Sequence, residues 1–296
     1  MEKKAFHSGF AAIVGRPNVG KSTLMNAMVG EKVAIVSDRP QTTRSRIMGV
    51  TTGEDWQIVF LDTPGLHKPR TKLGEYMVKS VEDAMEGIDV LLVLVDVSDI
   101  GPQDRAIVTE MASRRVKKIL VLNKTDLVDE AKLMAAIASF SDAGYDAIIP
   151  LSARSGKGMD ELRRVIVSYL PEGPKYFPDD MMTDQPERLI CAEIIREKAL
   201  FHLRDEVPHG IGVEMMAINR LSDNLTEIHA TIYCERASHK GIIIGKQGAM
   251  LRTIGAESRR DIESLLGTKV NLQLWVKVRE DWRNRMDDLR TLGYES

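Results

Sequence analysis

Cysteine is nearly missing from this chain of 296 residues, which carries only Cys191 and Cys234. Two cysteines cannot build a disulfide framework, and neither stands in a metal-ligating spacing. Both read as small buried residues of a reducing compartment. Net charge is scarce too. Lys and Arg number 41 against 43 Asp and Glu, a formal net charge of -2. That excludes a uniformly basic nucleic-acid coat but leaves room for a local basic patch. No uncharged apolar run approaches the ~18 residues that a membrane span needs. The start, MEKKAFHSGFAAIVG, runs from its apolar stretch into a glycine motif rather than a cleavage site, so no secretory signal is expected. The six histidines do not cluster, and there is no internal repeat or low-complexity tract. What is present, 43% hydrophobic and 28% charged residues, suits folded domains rather than disorder. The length exceeds what one core usually takes and predicts two domains.

Residues 1–170 alternate short apolar runs with longer amphipathic stretches. FAAIVG (10–15), WQIVFLDT (56–63), DVLLVLVDVS (89–98), KKILVLNK (117–124) and DAIIPLSA (146–153) suit strands buried on both faces of a mainly parallel sheet. Helical patterns lie between them at 76–87, 103–115 and 159–170. This predicts an α/β fold with a doubly wound sheet and a ligand at the C-terminal edge of its strands. Residues 171–186, PEGPKYFPDDMMTDQP, hold four prolines and no periodicity, the signature of an interdomain linker. Residues 187–296 read α-β-β-α-α-β, with two strands joined at Ser222-Asp223-Asn224. A separate, smaller α+β domain is expected there.

Gly15-Arg16-Pro17-Asn18-Val19-Gly20-Lys21-Ser22 fits the phosphate-loop pattern G-x-x-x-x-G-K-[ST] between a predicted strand and an amphipathic helix. Its glycines let backbone N–H groups turn inward around phosphate oxygens, at a helix N-terminus that favours anions. Lys21 can reach the β- and γ-phosphates, and the Ser22 hydroxyl can enter the shell of a Mg²⁺ ion. Thr23 completes the candidate phosphate set. Asp62-Thr63-Pro64-Gly65 ends a predicted strand, where Asp62 can hold Mg²⁺ through water and the Gly65 amide can approach a γ-phosphate. Asn123-Lys124-Thr125-Asp126 ends another. The Asp126 carboxylate can accept both N1–H and the 2-amino group of guanine, donors that adenine lacks. Asn123 can orient the loop, the Lys124 stem can cover the ring, and Ser152-Ala153-Arg154 places a backbone amide near guanine O6.

Over residues 10–170 this set resembles the translation-factor-related GTPases. Pro40-Gln41-Thr42-Thr43-Arg44 is similar to that group's first switch, in which a threonine binds Mg²⁺. Spacing does not choose the threonine, and the family's T-T-R pattern implies Thr43. Leu66 follows D-T-P-G, where signalling GTPases carry a water-orienting glutamine; leucine can neither donate nor accept a hydrogen bond. Hydrolysis is therefore slow, or another device positions the water. Asn18 resembles the phosphate-loop asparagine with which related GTPases hold K⁺. It reads equally well as a turn residue after proline. No catalytic side chain is assigned.

In the second domain, Gly245-Lys246-Gln247-Gly248 lies between the run GIII (241–244) and a predicted helix. A G-x-x-G between helices is the KH clamp on single-stranded nucleotides: its glycines admit the backbone, and a helix N-terminus and a lysine face it. Residues 236–269 hold seven basic and three acidic residues, a local basic excess. The candidate RNA-binding residues are Gly241, Ile244, Gly245, Lys246, Gln247, Gly248 and Arg252. The element order matches the type II KH arrangement.

A P-loop GTPase with a hydrophobic residue after D-T-P-G, joined by a short linker to a C-terminal KH domain, resembles the Era-type GTPases. GRPNVGKS, QTTR, DTPG, NKTD, SAR and GKQG all occur in order. The resemblance implies a bacterial ribosome-assembly GTPase that uses Mg²⁺ and binds GTP, GDP and the 3′ end of small-subunit ribosomal RNA. It further implies a cytoplasmic monomer with peripheral association with the inner membrane. The competing readings are a nucleotide-switched regulator that docks on a membrane or protein, with the KH-like domain as adaptor, and a cofactor of an RNA-modifying enzyme.

Overall fold

The computed structural model describes residues 5–37, 42–66, 69 and 71–294. It divides into two compact units. One gathers Met1–Ala34, Thr43–Lys68 and Met77–Asp184, the other Ile35–Thr42, Pro69–Tyr76 and Gln185–Ser296.

Among the described residues, the first unit has a six-stranded sheet. Its strands are β1 (His7–Val14), β2 (Ile47–Thr52), β3 (Trp56–Asp62), β4 (Val90–Asp96), β5 (Lys117–Asn123) and β6 (Ala147–Pro150). The order is β2-β3-β1-β4-β5-β6, parallel throughout except that β2 pairs antiparallel with β3. Helices α1 (Lys21–Val29), α2 (Lys72–Ala84), α3 (Pro102–Ala112), α4 (Glu130–Phe140) and α5 (Met159–Tyr169) alternate with the strands. The continuous apolar runs have a simple cause. Along β4, Val90, Leu92 and Leu94 enter one core cluster while Leu91, Val93 and Val95 enter the other, so both faces of the strand are covered. The first apolar run leads into β1, whose neighbours are β3 on one side and β4 on the other. Chain order therefore reverses at the C-terminal end of β1, where open α/β sheets bind ligands.

Two features differ from the sequence pattern. Strand β2 is the sheet's antiparallel edge, and its apolar stretch, residues 47–50, is buried but too short to stand out beside the other runs. Part of the proline-rich segment lies along that edge rather than hanging free. Gln57, fully buried in β3, donates to the Phe177 carbonyl at 2.8 Å and accepts the amides of Tyr176 at 2.9 Å and Phe177 at 3.0 Å. Val50 N–H then donates to the Met182 carbonyl at 2.8 Å, and the Thr183 hydroxyl to the Met48 carbonyl at 2.7 Å. The segment satisfies backbone groups of an edge that would otherwise face water.

The second unit runs α6 (Glu187–His202), β7 (Gly212–Ser222), β8 (Leu225–Cys234), α7 (Ala237–Ile244), α8 (Ala249–Leu266), β9 (Lys269–Val278) and a short α9 (Met286–Thr291). This is the expected α-β-β-α-α-β order. Strands β7 and β8 are antiparallel and β9 joins β8 in parallel. Cys191 and Cys234 are both buried free thiols, and burial pushes Cys191 up to about 12. Within this unit Val36 N–H donates to Glu197 Oε1 at 2.9 Å, and the buried Arg196 guanidinium donates to the Thr42 carbonyl. Pro40 and Gln41 of the proposed switch lie outside the described residues.

Candidate nucleotide and RNA sites

The phosphate loop leaves β1 and enters α1 through Gly20, whose φ of 99° suits glycine. A Cβ there would stand 2.4 Å from Asn123 Nδ2, so the loop presses directly on the strand that ends in NKTD. Lys21 is buried, its ammonium donating to the carbonyls of Gly15 at 3.3 Å and Arg16 at 3.1 Å. Burial lowers its pKa to about 8, against the attraction of Asp62.

Asp62 is fully buried at the end of β3. Its Oδ2 accepts the Ser22 hydroxyl at 2.6 Å and the Thr43 hydroxyl at 3.3 Å, and those two hydroxyls lie 2.9 Å apart. Its Oδ1 is buried without a hydrogen-bond partner in the structure. Burial raises the Asp62 pKa, opposed by the Lys21 charge and by the hydrogen bonds it accepts. One carboxylate and two hydroxyls thus converge with a carboxylate oxygen to spare, an all-oxygen set that fits a hard divalent cation. Thr43 rather than Thr42 stands in this cluster; Thr42 Oγ1 donates to the Ser37 carbonyl at 3.4 Å.

Several motif side chains serve the frame. Thr63 Oγ1 donates to the Ile13 carbonyl at 2.7 Å. Arg16 turns to the β4–α3 corner: its Nε donates to Asp104 Oδ1 at 2.8 Å and its Nη2 to Asp99 Oδ2 at 3.0 Å. Gly65 abuts the phosphate loop, where an added Cβ would lie 2.7 Å from Pro17 N. Leu66 is held by its backbone, with N–H on the Gly15 carbonyl at 3.1 Å and its own carbonyl accepting Gln103 Nε2 at 2.9 Å.

At the NKTD end, Asn123 Nδ2 donates to the Val19 carbonyl at 2.8 Å and its Oδ1 accepts the Ala153 amide at 3.0 Å. One side chain therefore ties together the phosphate loop, NKTD and SAR. The Ala153 amide is engaged by Asn123, and the Ser152 amide by the Lys157 carbonyl at 2.9 Å. Lys124 and Asn18 both have left-handed backbones, and Lys124 Nζ donates to the Asn18 carbonyl at 2.8 Å. Thr125 and Asp126 sit on a single 3-10 turn, with Asp126 exposed.

In the second unit, the GKQG loop joins α7 to α8. Gly245 has a φ of 73°, and a Cβ there would come within 2.7 Å of the Met250 side chain; Gly248 has nothing within 4 Å. Arg252 Nη2 lies 3.5 Å from the Gln247 carbonyl. From this loop a cavity of about 410 Å³ runs between α8 and β9, lined by Leu251, Arg252, Gly255, Ala256, Arg259, Asn271, Leu272 and Leu274. Gly248 lines it too, so two of the candidate RNA-binding residues, Gly248 and Arg252, face this cavity. The signal was available: 252, 255, 256 and 259 share one helix face, where small residues separate two arginines. Gly241 and Ile244 lie on α7, outside this cavity lining.

Residues 10–124 match the family described as 50S ribosome-binding GTPase, and residues 206–283 match the KH domain family. Among curated proteins, the chain is 55% identical over 294 residues to GTPase Era of Alkaliphilus metalliredigens, covering 98% of this chain and 100% of the relative. It is also 55% identical over 293 residues to GTPase Era of Clostridioides difficile, covering 98% and 99%. Among solved structures it is similar to a variant of Aquifex aeolicus Era bound to GDP and AlF4⁻, with TM-score 0.94 and 40% identity over 98% of this chain and 100% of that one. A complex of Era with MgGDPNP and nucleotides 1506-1542 of 16S ribosomal RNA gives TM-score 0.93 at the same identity and coverage. With identity above half along nearly the full length of both chains, and with a phosphate loop and a KH loop each in its expected unit, this chain belongs to the Era family of GTPases.

Proposed function

We propose that this protein is a Mg²⁺-dependent GTP hydrolase whose nucleotide state governs its hold on the 3′ end of small-subunit ribosomal RNA during ribosome assembly. The observation that carries the reading is the convergence of Ser22, Thr43 and Asp62 beside the buried Lys21 ammonium, in a chain that also carries a KH groove. Residues 1–170 carry the nucleotide, 187–296 carry the RNA, and 171–186 join them.

Ser22, Thr43 and Asp62 hold the metal, which when bound neutralises charge on the β- and γ-phosphates. Backbone N–H groups of the phosphate loop up to Thr23, Pro17 excepted, surround the phosphates, and Lys21 exchanges its two carbonyl partners for phosphate oxygens. Pro64 and Gly65 bring the second switch against the loop. Asp126 reads the guanine edge, Lys124 covers its face, and Asn123 with Ser152-Ala153-Arg154 fixes the surrounding loop. Water is the nucleophile. Because Leu66 can orient no water, backbone placement of residues 65–66 carries that task; Asn18 is the residue that would hold K⁺, which would add positive charge against the phosphates. RNA runs past Gly245, Lys246, Gln247 and Gly248 into the groove, where Arg252 and Arg259 meet phosphates over an apolar floor. Gly241 and Ile244 border its entry on α7.

The protein acts as a monomer in the cytoplasm. Peripheral association with the inner membrane is proposed on family resemblance alone; among the described residues no helix is long and apolar enough to cross a membrane. Nucleotide-dependent crosslinking tests the reading. With GTP analogue present, 3′-end ribosomal RNA should crosslink within residues 241–260, and less with GDP. Crosslinks elsewhere, or none in either state, would overturn the RNA assignment. Flotation with anionic vesicles tests the membrane association.

A further inference from the structure

Asp96 is the last residue of β4, and the sheet register places it opposite Asn123 at the end of β5. It is a carboxylate with only 6% of its surface exposed, and none of the motifs above includes it. Its two oxygens do different work. Oδ1 accepts the Ser98 amide at 2.9 Å and the Ser98 hydroxyl at 2.5 Å, closing the turn that follows β4. Oδ2 reaches away from that turn and pairs with Lys124 Nζ at 2.7 Å. The same ammonium donates to the Asn18 carbonyl. Burial alone would push the Asp96 carboxyl up, but the hydrogen bonds from Lys124 and Ser98 outweigh it and leave its pKa lowered.

A lysine carries a strongly hydrated charge on a flexible four-carbon stem. Left to itself, such a stem is a poor surface for a flat ring. Here the ammonium is gripped by an anion and by a backbone carbonyl, which fixes the far end of the stem. The grip also joins three loops, those after β1, β4 and β5. A turn-closing role needs only Oδ1, so the Oδ2 pairing is the part left without a purely local explanation.

We propose that Asp96 is a positioning residue for guanine recognition, holding Lys124 against the Asn18 carbonyl so that the lysine stem forms a fixed shelf for the purine face. The inference rests on the reading of Asn123–Asp126 as the base site. Asp96 acts on the ring face and not on the base edge, so it supports all purines that carry the right phosphates. It also acts equally on ground and transition states, a pattern that raises KM and spares kcat.

The test uses the full-length protein and fluorescent GDP, with Asp96→Asn as the main variant. Asparagine keeps an oxygen for Ser98 and sets an amide against the lysine ammonium. GDP and GTP affinity should both fall about tenfold, the scale of one hydrogen bond to a charged group. GDP and xanthosine diphosphate should weaken alike, kcat should stay within about twofold, and the loss should vanish in a Lys124→Met background. Folding is followed by melting without nucleotide. If Asp96→Asn does not fold, Asp96→Glu replaces it: the charge is kept but displaced by one methylene, with about threefold weaker GDP binding expected. A folded variant that binds GDP as the parent does would overturn the inference, as would a loss of the same size in the Lys124→Met background. Asp126→Asn serves as the reference. If it fails to exchange GDP for xanthosine diphosphate preference, the base-site reading itself fails; if it succeeds while Asp96→Asn is silent, only the Asp96 inference does.

Discussion

The loop before α1 and the loop before α8 are both glycine-framed turns that lead into a helix, and both are assigned to phosphates. They hold their polar groups differently. Around the first, Lys21, Asp62, Asn123 and Asp96 are buried and each is held by nearby carbonyls, amides, hydroxyls or the Lys124 ammonium, with Asp62 Oδ1 left over. Around the second, Lys246 and Arg252 stand largely in water beside a groove floored by Leu251, Leu272 and Leu274. The first site is preorganised: its ligand replaces internal hydrogen bonds and must match them one for one. The second is a surface that gains by releasing counterions and covering apolar area, which tolerates sequence but not salt. Selectivity belongs to the buried site and adaptability to the open one.

The largest expected effect tests selectivity. Asp126→Asn should cost GTP about 3 kcal/mol, because a charged acceptor pair facing two guanine donors becomes a mismatch, while xanthosine triphosphate loses far less. Parental GTP affinity in the variant would break the contrast. Next, Gly248→Asp puts a negative charge where nothing lies within 4 Å, at the cost of some strain from a φ of 78° that aspartate tolerates better than most residues, and RNA affinity should drop at least about tenfold at low salt. The change is cleaner than one at Gly245, where a side chain strikes Met250. GTP binding should survive, and circular dichroism should show the fold intact. Lys246→Ala should act more gently, making the salt dependence shallower by about one phosphate contact.

A third prediction uses the buried lysine. With its pKa lowered to about 8, Lys21 is charged below that pH and loses its proton above it when no phosphate is near. Nucleotide binding above pH 8 must then take up a proton. GDP affinity should fall with rising pH by up to about tenfold per unit, and Lys21→Met should flatten the profile. For the nucleotide-free protein the sign reverses. Burying the charged lysine costs stability below pH 8, and melting should improve as pH climbs from there towards the ordinary 10.5. The smallest effect is at Leu66, where Leu66→Ala should leave hydrolysis within about tenfold. If K⁺ sits at Asn18, hydrolysis runs faster in K⁺ than in Na⁺, and Asn18→Ala removes the difference; equal rates in the unmutated protein would dismiss that ion.

The fold class was legible because β1 and β3 to β6 are covered on both faces, which writes itself as unbroken apolar runs. Strand β2 escaped notice because its buried apolar stretch, residues 47–50, is short and runs straight into Thr51 and Thr52. Motif spacing singled out the residues that come together at the end of β1, since local backbone geometry fixes phosphate-loop chemistry. It could not say that Arg16 points to Asp104 or that Thr63 bonds the Ile13 carbonyl, because both partners lie far away in sequence. The groove residues on β9 were hidden for the same reason. Asn271, Leu272 and Leu274 acquire meaning only beside α8.

Gln57 sets where the first unit can be cut. Its amide is fully buried and spends itself on Tyr176 and Phe177, residues beyond the last helix of the sheet. A fragment ending at residue 170 leaves that amide only Thr52 Oγ1 at 2.9 Å, takes away Tyr176 and Phe177, and bares the β2 edge, whereas one ending at 184 retains all three partners. Residues 176–183 therefore travel with the first unit, and a boundary drawn at 170 divides it.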